Sequence, residues 1–279
     1  MAEENGLKTV KARQRVWAKN QDIDIDRDGY CSTLEENLFH PLSKACRDEI
    51  AGGDGSELGK AGTRGKIQAL HSSTALACNF FDYWRKQELA ILAAAFGLSE
   101  SPCRLAFEQK FPTGLGGISP NIDVVLYLPD GELFAIESKF TEPYATSKLK
   151  CYLKPKYFLD GRHLWAEVGL PGCQAVADDL RRERVRFEFF DVSQMLKHML
   201  GLAHRTSNWR LCCLWYRIDG GIGEQHANEL AEFCRRLGPD TSRFISQTYQ
   251  ELFARITSAI GLEHDSWVSY MRKRYFDVT

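Results

Sequence analysis

The sequence lacks most of the motifs by which a function class is recognised. No CxxC occurs, and the nine cysteines (31, 46, 78, 103, 151, 173, 212, 213 and 234) are odd in number. That argues against both a disulfide framework and a paired-thiolate zinc site. No GxSxG, P-loop or GxGxxG motif appears, which disfavours nucleophile-elbow hydrolases, P-loop NTPases and dinucleotide enzymes. No apolar stretch is long enough to span a bilayer, and the N-terminal Met-Ala-Glu-Glu-Asn-Gly is acidic without an apolar signal core. Together these absences predict a reducing cytoplasmic setting and no membrane partner. The net charge of −1 carries no basic excess, so any nucleic-acid contact has to come from a local basic face. No internal repeat or low-complexity tract is evident.

What is present is enough apolar material for a substantial core: 44% of the 279 residues are hydrophobic. Residues 8–20 are basic and helical in pattern, and residues 21–57 are acidic. A Gly-rich loop covers 51–59. Residues 66–98 read as helical, with Ser72 or Ser73 as cap and Ala75, Leu76, Phe80, Tyr83 and Trp84 at helical spacing. Three strands follow at 103–111, 121–128 and 132–140, the last two joined by Pro129-Asp130-Gly131 as an antiparallel hairpin. Residues 144–186 give no clear element. A helix is expected over 191–204, capped by Asp191 or Ser193, and a strand buried on both faces within 208–219. Helices are expected over 224–237 and 241–260. We expect residues 1–65 to form a helical and acidic extension packed on a core at 66–279, the two making one compact unit.

The chemistry concentrates on the hairpin. Asp123 interrupts an apolar strand, and Glu137-Ser138-Lys139 ends the next one. Glu137 and Lys139 project to one face because strand side chains alternate. Pairing brings Asp123 to Glu137 although thirteen residues intervene. Two adjacent carboxylates repel unless a cation sits between them, and Mg²⁺ takes oxygen ligands while keeping several waters. Asp123, Glu137 and the backbone carbonyl of Ser138 are the expected ligands of Mg²⁺, with Mn²⁺ as a substitute. Lys139 is the expected partner of an attacking water or of the charged phosphate.

Several segments resemble a known group. Ile122-Asp123 followed by Glu137-Ser138-Lys139 resembles the signature of the PD-(D/E)xK nuclease superfamily, with Ile122 in place of the signature proline. His71–Phe81, Pro120–Leu126, Glu137–Pro143 and Thr248–Leu252 look like motifs of a family of bacterial restriction endonucleases, so the resemblance spans residues 71–252. It implies an α/β restriction-endonuclease-like core, a central mixed β-sheet flanked by helices, with helical additions at both ends. It also implies metal binding at Asp123 and Glu137, catalysis by Lys139, and DNA as substrate. Such folds often add an acid before the hairpin, for which Glu36, Glu57 and Glu108 are candidates. They also place a polar residue on the helix after it, for which Gln194 is the candidate, sharing a face with Lys197 or His198.

From Lys139 to Leu164, six basic residues stand against two acids, with Tyr144, Tyr152, Tyr157 and Phe158 interleaved. Lys148, Lys150, Lys154 and Lys156 are therefore expected on phosphates. Arg181–Arg186 is a weaker basic patch whose plain reading is a solvated face. Residues 24–35 fit the EF-hand loop pattern, with Gly29 and Glu35 in place, against the plain reading of an acidic surface turn. The function predicted is a metal-dependent DNA nuclease, with a homodimer as an assembly to consider. The alternatives are a non-cleaving DNA-binding protein on the same fold and a calcium-responsive interaction protein built on the Asp24–Glu35 loop.

Overall fold

The computed structural model describes residues 5–53, 56–60, 63–145, 148–159 and 161–277. Four helices come first: α1 (Asn5–Asn20), α2 (Lys44–Gly52), α3 (Ser73–Phe81) and α4 (Leu89–Phe96). Strands β1 (Arg104–Lys110), β2 (Asn121–Tyr127) and β3 (Leu133–Lys139) follow. Then come α5 (Leu164–Glu167), α6 (Pro171–Arg181), α7 (Val192–Arg205), β4 (Trp209–Trp215) and α8 (Gly221–Leu237). Strand β5 (Phe244–Thr248), α9 (Tyr249–Ala259) and α10 (Asp265–Met271) close the fold.

The five strands lie in sequence order in one mixed sheet. β1, β2 and β3 are antiparallel, whereas β3, β4 and β5 are parallel. β4, between β3 and β5, is almost wholly buried, as its run of apolar residues predicts. On one face, α3, α4, α9 and α10 pack an aromatic core that includes Phe80, Trp84, Tyr249 and Trp267. On the other, α5 to α8 cover Ala135, Leu211 and Cys213 with Trp165, Met195, Met199 and Phe233. The result is the three-layer α/β sandwich expected, a mixed sheet flanked by helices. The buried Arg274 joins the chain ends: it donates to the carbonyl of Asn37 at 2.8 Å, and its own carbonyl accepts from Gln14 Nε2 at 2.8 Å.

The hairpin register follows from its turn. Gly131 takes φ +86°, and Leu128 N donates to Glu132 O at 2.9 Å. The pairing therefore closes about Asp130.

Three expectations change. The helix expected over 66–98 is broken into a short turn, α3, a 3₁₀ turn and α4. The helix expected over 241–260 begins as strand: residues 244–248 form β5, and the Thr248-x-x-Glu251 capping box starts α9 only there. The calcium reading fails. Residues 24–35 are entered from α1 after a turn but leave through a single 3₁₀ turn, Glu35–Asn37, rather than a helix. Asp26 Oδ1 accepts the backbone N–H groups of Asp28 and Tyr30, Arg64 pairs with Asp26 and Asp28, and Arg47 pairs with Glu35. These carboxylates are committed to local backbone and arginines instead of converging on a cation.

One contact sets where α7 sits over the sheet. A Cβ on Gly201 would lie 2.3 Å from the carbonyl oxygen of Phe111. Gly201→Ala therefore has to push α7 off the sheet edge, at an expected cost of about 1–3 kcal/mol. Urea unfolding reads this directly, and an unchanged midpoint would show that the close approach is not needed.

Candidate active site

The sheet register places three carboxylates in one row. Val124 pairs with Ile136 and Phe107 with Val124, while Gln109 pairs with Ile122. The next row therefore holds Glu108 on β1, Asp123 on β2 and Glu137 on β3. Like charges on adjacent strands destabilise a sheet unless something offsets them. The β2–β3 ladder stops short of this row, and the Asp123 carboxylate takes over a backbone role: its Oδ2 accepts the N–H of Ser138 at 2.7 Å.

Strand alternation sends Ser138 Oγ to the opposite face, where it meets the hydroxyl of Tyr249 at 2.6 Å. The Ser138 carbonyl points to the same strand edge as its N–H, toward Asp123. Tyr249, the first residue of α9, thus anchors the residue between the two charged positions from behind. Glu142 closes the end of β3 by accepting the N–H groups of Phe140 and Thr141 at 2.9 and 3.0 Å. Thr141 Oγ1 donates to the carbonyl of His71 at 3.3 Å, which brings the start of α3 to the same corner.

On the other face, Lys139 Nζ lies 2.7 Å from Glu137 Oε1 and 2.8 Å from Gln194 Oε1. Gln194 Nε2 donates back to Glu137 Oε1 at 2.8 Å, so one amide clamps both partners. Asp191 caps α7 by accepting the N–H of Gln194, which fixes the turn that carries it. One turn on, His198 Nε2 stands 3.1 Å from Glu137 Oε2 but off the hydrogen-bonding direction, so both atoms are buried without a hydrogen bond. Of the two face-mates expected for Gln194, His198 reaches Glu137. Lys197 is held back, partly exposed, and burial lowers its pKa.

Electrostatics separate the two central acids. Burial raises the Asp123 pKa well above the usual carboxylate range, and the charges of Glu137 and Glu108 raise it further. Burial also opposes ionisation of Glu137, but Lys139 and the His198 ring outweigh it and bring its pKa down to about 2. Burial pulls the Lys139 ammonium down, yet Glu137, Asp123 and Glu142 outweigh that and keep it charged. Glu108 adopts a left-handed φ of +49°, which a side chain adopts at a cost of roughly 1–3 kcal/mol. That strain lies in the carboxylate row.

Among the acid candidates, Glu108 is the one beside Asp123, and its Oε2 accepts from Asn121 Nδ2 at 3.2 Å. Glu57 is used elsewhere: it accepts from Thr74 Oγ1 at 2.9 Å and pairs with Lys66 at 3.5 Å. Glu36 caps its own turn through the N–H of Thr33.

The basic stretch is only partly a surface. Lys150 is a correction: it is 7% exposed, and its Nζ donates to the carbonyls of Glu142, Pro143, Ala145 and Phe189 at 2.6–3.2 Å. It ties the loop after β3 to the approach of α7 and does not face phosphate, and burial lowers its pKa to about 8. Lys154 is exposed, and Lys156 reaches the carbonyl of Gly116 at 2.8 Å. The side chain of Lys148 lies outside the described residues.

Among the described residues, no group of three or more His, Cys, Asp or Glu side chains is gathered as a ready metal cage. The donor set is nevertheless all oxygen. Glu137 Oε2 is buried without a hydrogen bond, and the carboxylate pair carries a repulsion that a cation would relieve. The residues present fit a hard divalent ion that keeps much of its water.

Tyr249 and the Lys150 hub were not identified as parts of the site from sequence. The capping box at Thr248 is the signal that would have placed Tyr249 at a helix start. Nothing local marks Lys150 as buried.

A mixed sheet enclosed between two helical layers, with this charged row at the parting of β2 and β3, is a restriction-endonuclease-like α/β core. The chain belongs to the family described as Restriction Endonuclease associating with ARP, whose model matches residues 11–276. No curated protein and no solved structure matches it. Among the described residues, no helix is long and apolar enough to cross a membrane.

Proposed function

We propose that the protein is a metal-dependent deoxyribonuclease of the PD-(D/E)xK type. The observation that carries this reading is the Asp123–Glu137–Lys139 cluster, in which two carboxylates and a partly buried ammonium are held at the open end of a hairpin. Asp123, Glu137 and the Ser138 carbonyl would hold Mg²⁺ or Mn²⁺, and Glu108 stands in the same row as a further acid. When bound, such an ion lowers the pKa of water and offsets charge on a phosphodiester.

The chain's own residues supply the rest. Lys139, fixed by Glu137 and Gln194, presents its ammonium where an attacking water or a phosphate oxygen would lie. Gln194 sets the orientation of both side chains. Asp123 has to lose its proton for ligation, so cation binding strengthens as pH rises. Lys154 and Lys156 are the phosphate contacts that remain from the basic stretch.

Family membership supports DNA as the substrate. The test is incubation of purified protein with covalently closed circular and with linear DNA in Mg²⁺, Mn²⁺ or EDTA. The expected result is metal-dependent breakage of the circular form, which requires an internal cut. DNA retained without breakage in any metal would favour the non-cleaving alternative.

A further inference from the structure

Two basic segments distant in sequence form the walls of one groove. Residues 151–158 line one side, and the end of α6 with residues 183–188 lines the other, enclosing an open space of about 1050 Å³. That is at the upper end of the roughly 300–1,000 Å³ typical of small-ligand clefts. The floor and walls are apolar and aromatic, with Leu153, Phe158 and Phe187 among them. Tyr152, also in the lining, is 55% exposed. The Arg181 guanidinium lies over the Phe158 ring, 4.9 Å from its centroid.

Residues 151–158 and 180–188 carry six basic residues, of which Arg181 and Arg186 line the groove beside Glu183 and Glu188, with Arg186 Nε 3.6 Å from Glu188 Oε1. Lys154, Arg181 and Arg186 are all exposed. The Arg181–Arg186 patch, whose plain reading was a solvated face, thus belongs to a surface with a second wall.

Both walls of the groove run on in the chain toward the candidate active site. Cys151 at its near end follows Lys150, which lines a small cavity together with Lys139. Phe187 and Glu188 lead to Phe189, whose carbonyl accepts from Lys150 Nζ at 2.8 Å. On α7, Lys197 feels the charge of Lys154 on one side and of Glu137 and Lys139 on the other.

Aromatic faces beside cations suit unpaired nucleotides. A duplex keeps its bases stacked inside and would leave Tyr152 and the apolar floor with nothing to cover. A single strand offers a base face for each ring and a phosphate for each cation. We propose that this groove binds an unpaired segment of the DNA substrate, with Tyr152 stacking on a base and Lys154, Arg181 and Arg186 contacting phosphates. For its substrate class the inference rests on the nuclease reading above.

The test is fluorescence anisotropy of the full chain in EDTA, with a labelled single-stranded oligonucleotide of about 20 nucleotides and a blunt duplex of the same length. Wild type is compared with Tyr152→Ala and with the double variant Arg181→Glu/Arg186→Glu, each checked for folding by circular dichroism melts. Wild type is expected to bind the single strand more tightly than the duplex, and each variant to lose about tenfold or more of that affinity. Folded variants that bind the single strand as wild type does would overturn the groove assignment. Plasmid cleavage by wild type, run in parallel with Mg²⁺, separates the two claims. Cleavage with unchanged variant binding overturns the groove alone. Variant-sensitive binding without any cleavage supports the groove and overturns the nuclease reading alone.

Discussion

Asp123→Asn is expected to abolish DNA cleavage and at the same time to make the metal-free protein more stable. The two effects have one cause. Asp123 sits beside Glu137 and Glu108, where burial and both neighbouring charges oppose its ionisation. Asparagine keeps an oxygen to accept the Ser138 N–H, so the backbone contact survives while the charge does not.

The sign of the pH dependence follows. A carboxyl whose folded pKa is raised contributes stability that is fully present below its unfolded value of about 3.9. That contribution is lost as pH rises toward the higher folded value, and Asp123→Asn removes the loss. Glu137 acts oppositely. With its folded pKa at about 2, it contributes stability above its unfolded value of about 4.3, and this is lost as pH falls. Denaturant midpoints measured from pH 3 to 8 in EDTA should therefore decline for wild type on the alkaline side of about pH 4 and stay flatter for the variant. The expected gain at neutral pH is about 1–2 kcal/mol, or roughly 2–4 °C in Tm for each kcal/mol. A variant less stable than wild type at neutral pH would mean that the row is not repulsive.

Lys139→Met is the second large effect. Methionine keeps most of the side-chain volume, so the space between Glu137 and Gln194 stays filled while the ammonium is lost. Removing a positioned charge of this kind costs about 10²–10⁴-fold in rate. DNA affinity in EDTA should change little, because one cation among many contributes a small share of phosphate binding. Lys139→Arg should not restore the rate: a planar fork cannot occupy the point between Glu137 Oε1 and Gln194 Oε1 that the ammonium fills. Single-turnover cleavage against separately measured affinity distinguishes the two contributions. A rate within a few-fold of wild type for Lys139→Met would remove Lys139 from the chemistry.

What could be read from the sequence depended on whether the signal was local. The hairpin was legible because its turn is: Pro129-Asp130-Gly131 centres the pairing on Asp130, and that alone puts Asp123 opposite Glu137. Gln194 was legible because Asp191 caps a strongly amphipathic helix and sets its phase. The β4 strand was legible from its unbroken apolar run. Long-range packing was not. β5 reads as helix because Phe244–Thr248 continues into a helical pattern, and only its parallel pairing with β4 makes it a strand. Lys150 reads as one more surface lysine in a basic run, yet four carbonyls from two loops converge on it. The EF-hand match failed for the same reason: its ligand spacing is local, but the helix that should leave it and the arginines that neutralise it are not.

On the proposed reading, the charged cluster at the end of β3 cuts DNA. The most direct test is the rate of strand breakage in supercoiled plasmid by wild type and Asp123→Asn, side by side in Mg²⁺ and again in EDTA. The account predicts breakage by wild type in Mg²⁺ only, and none by the folded variant in either condition. Equal breakage by the two proteins, or breakage by wild type that persists in EDTA, would contradict it.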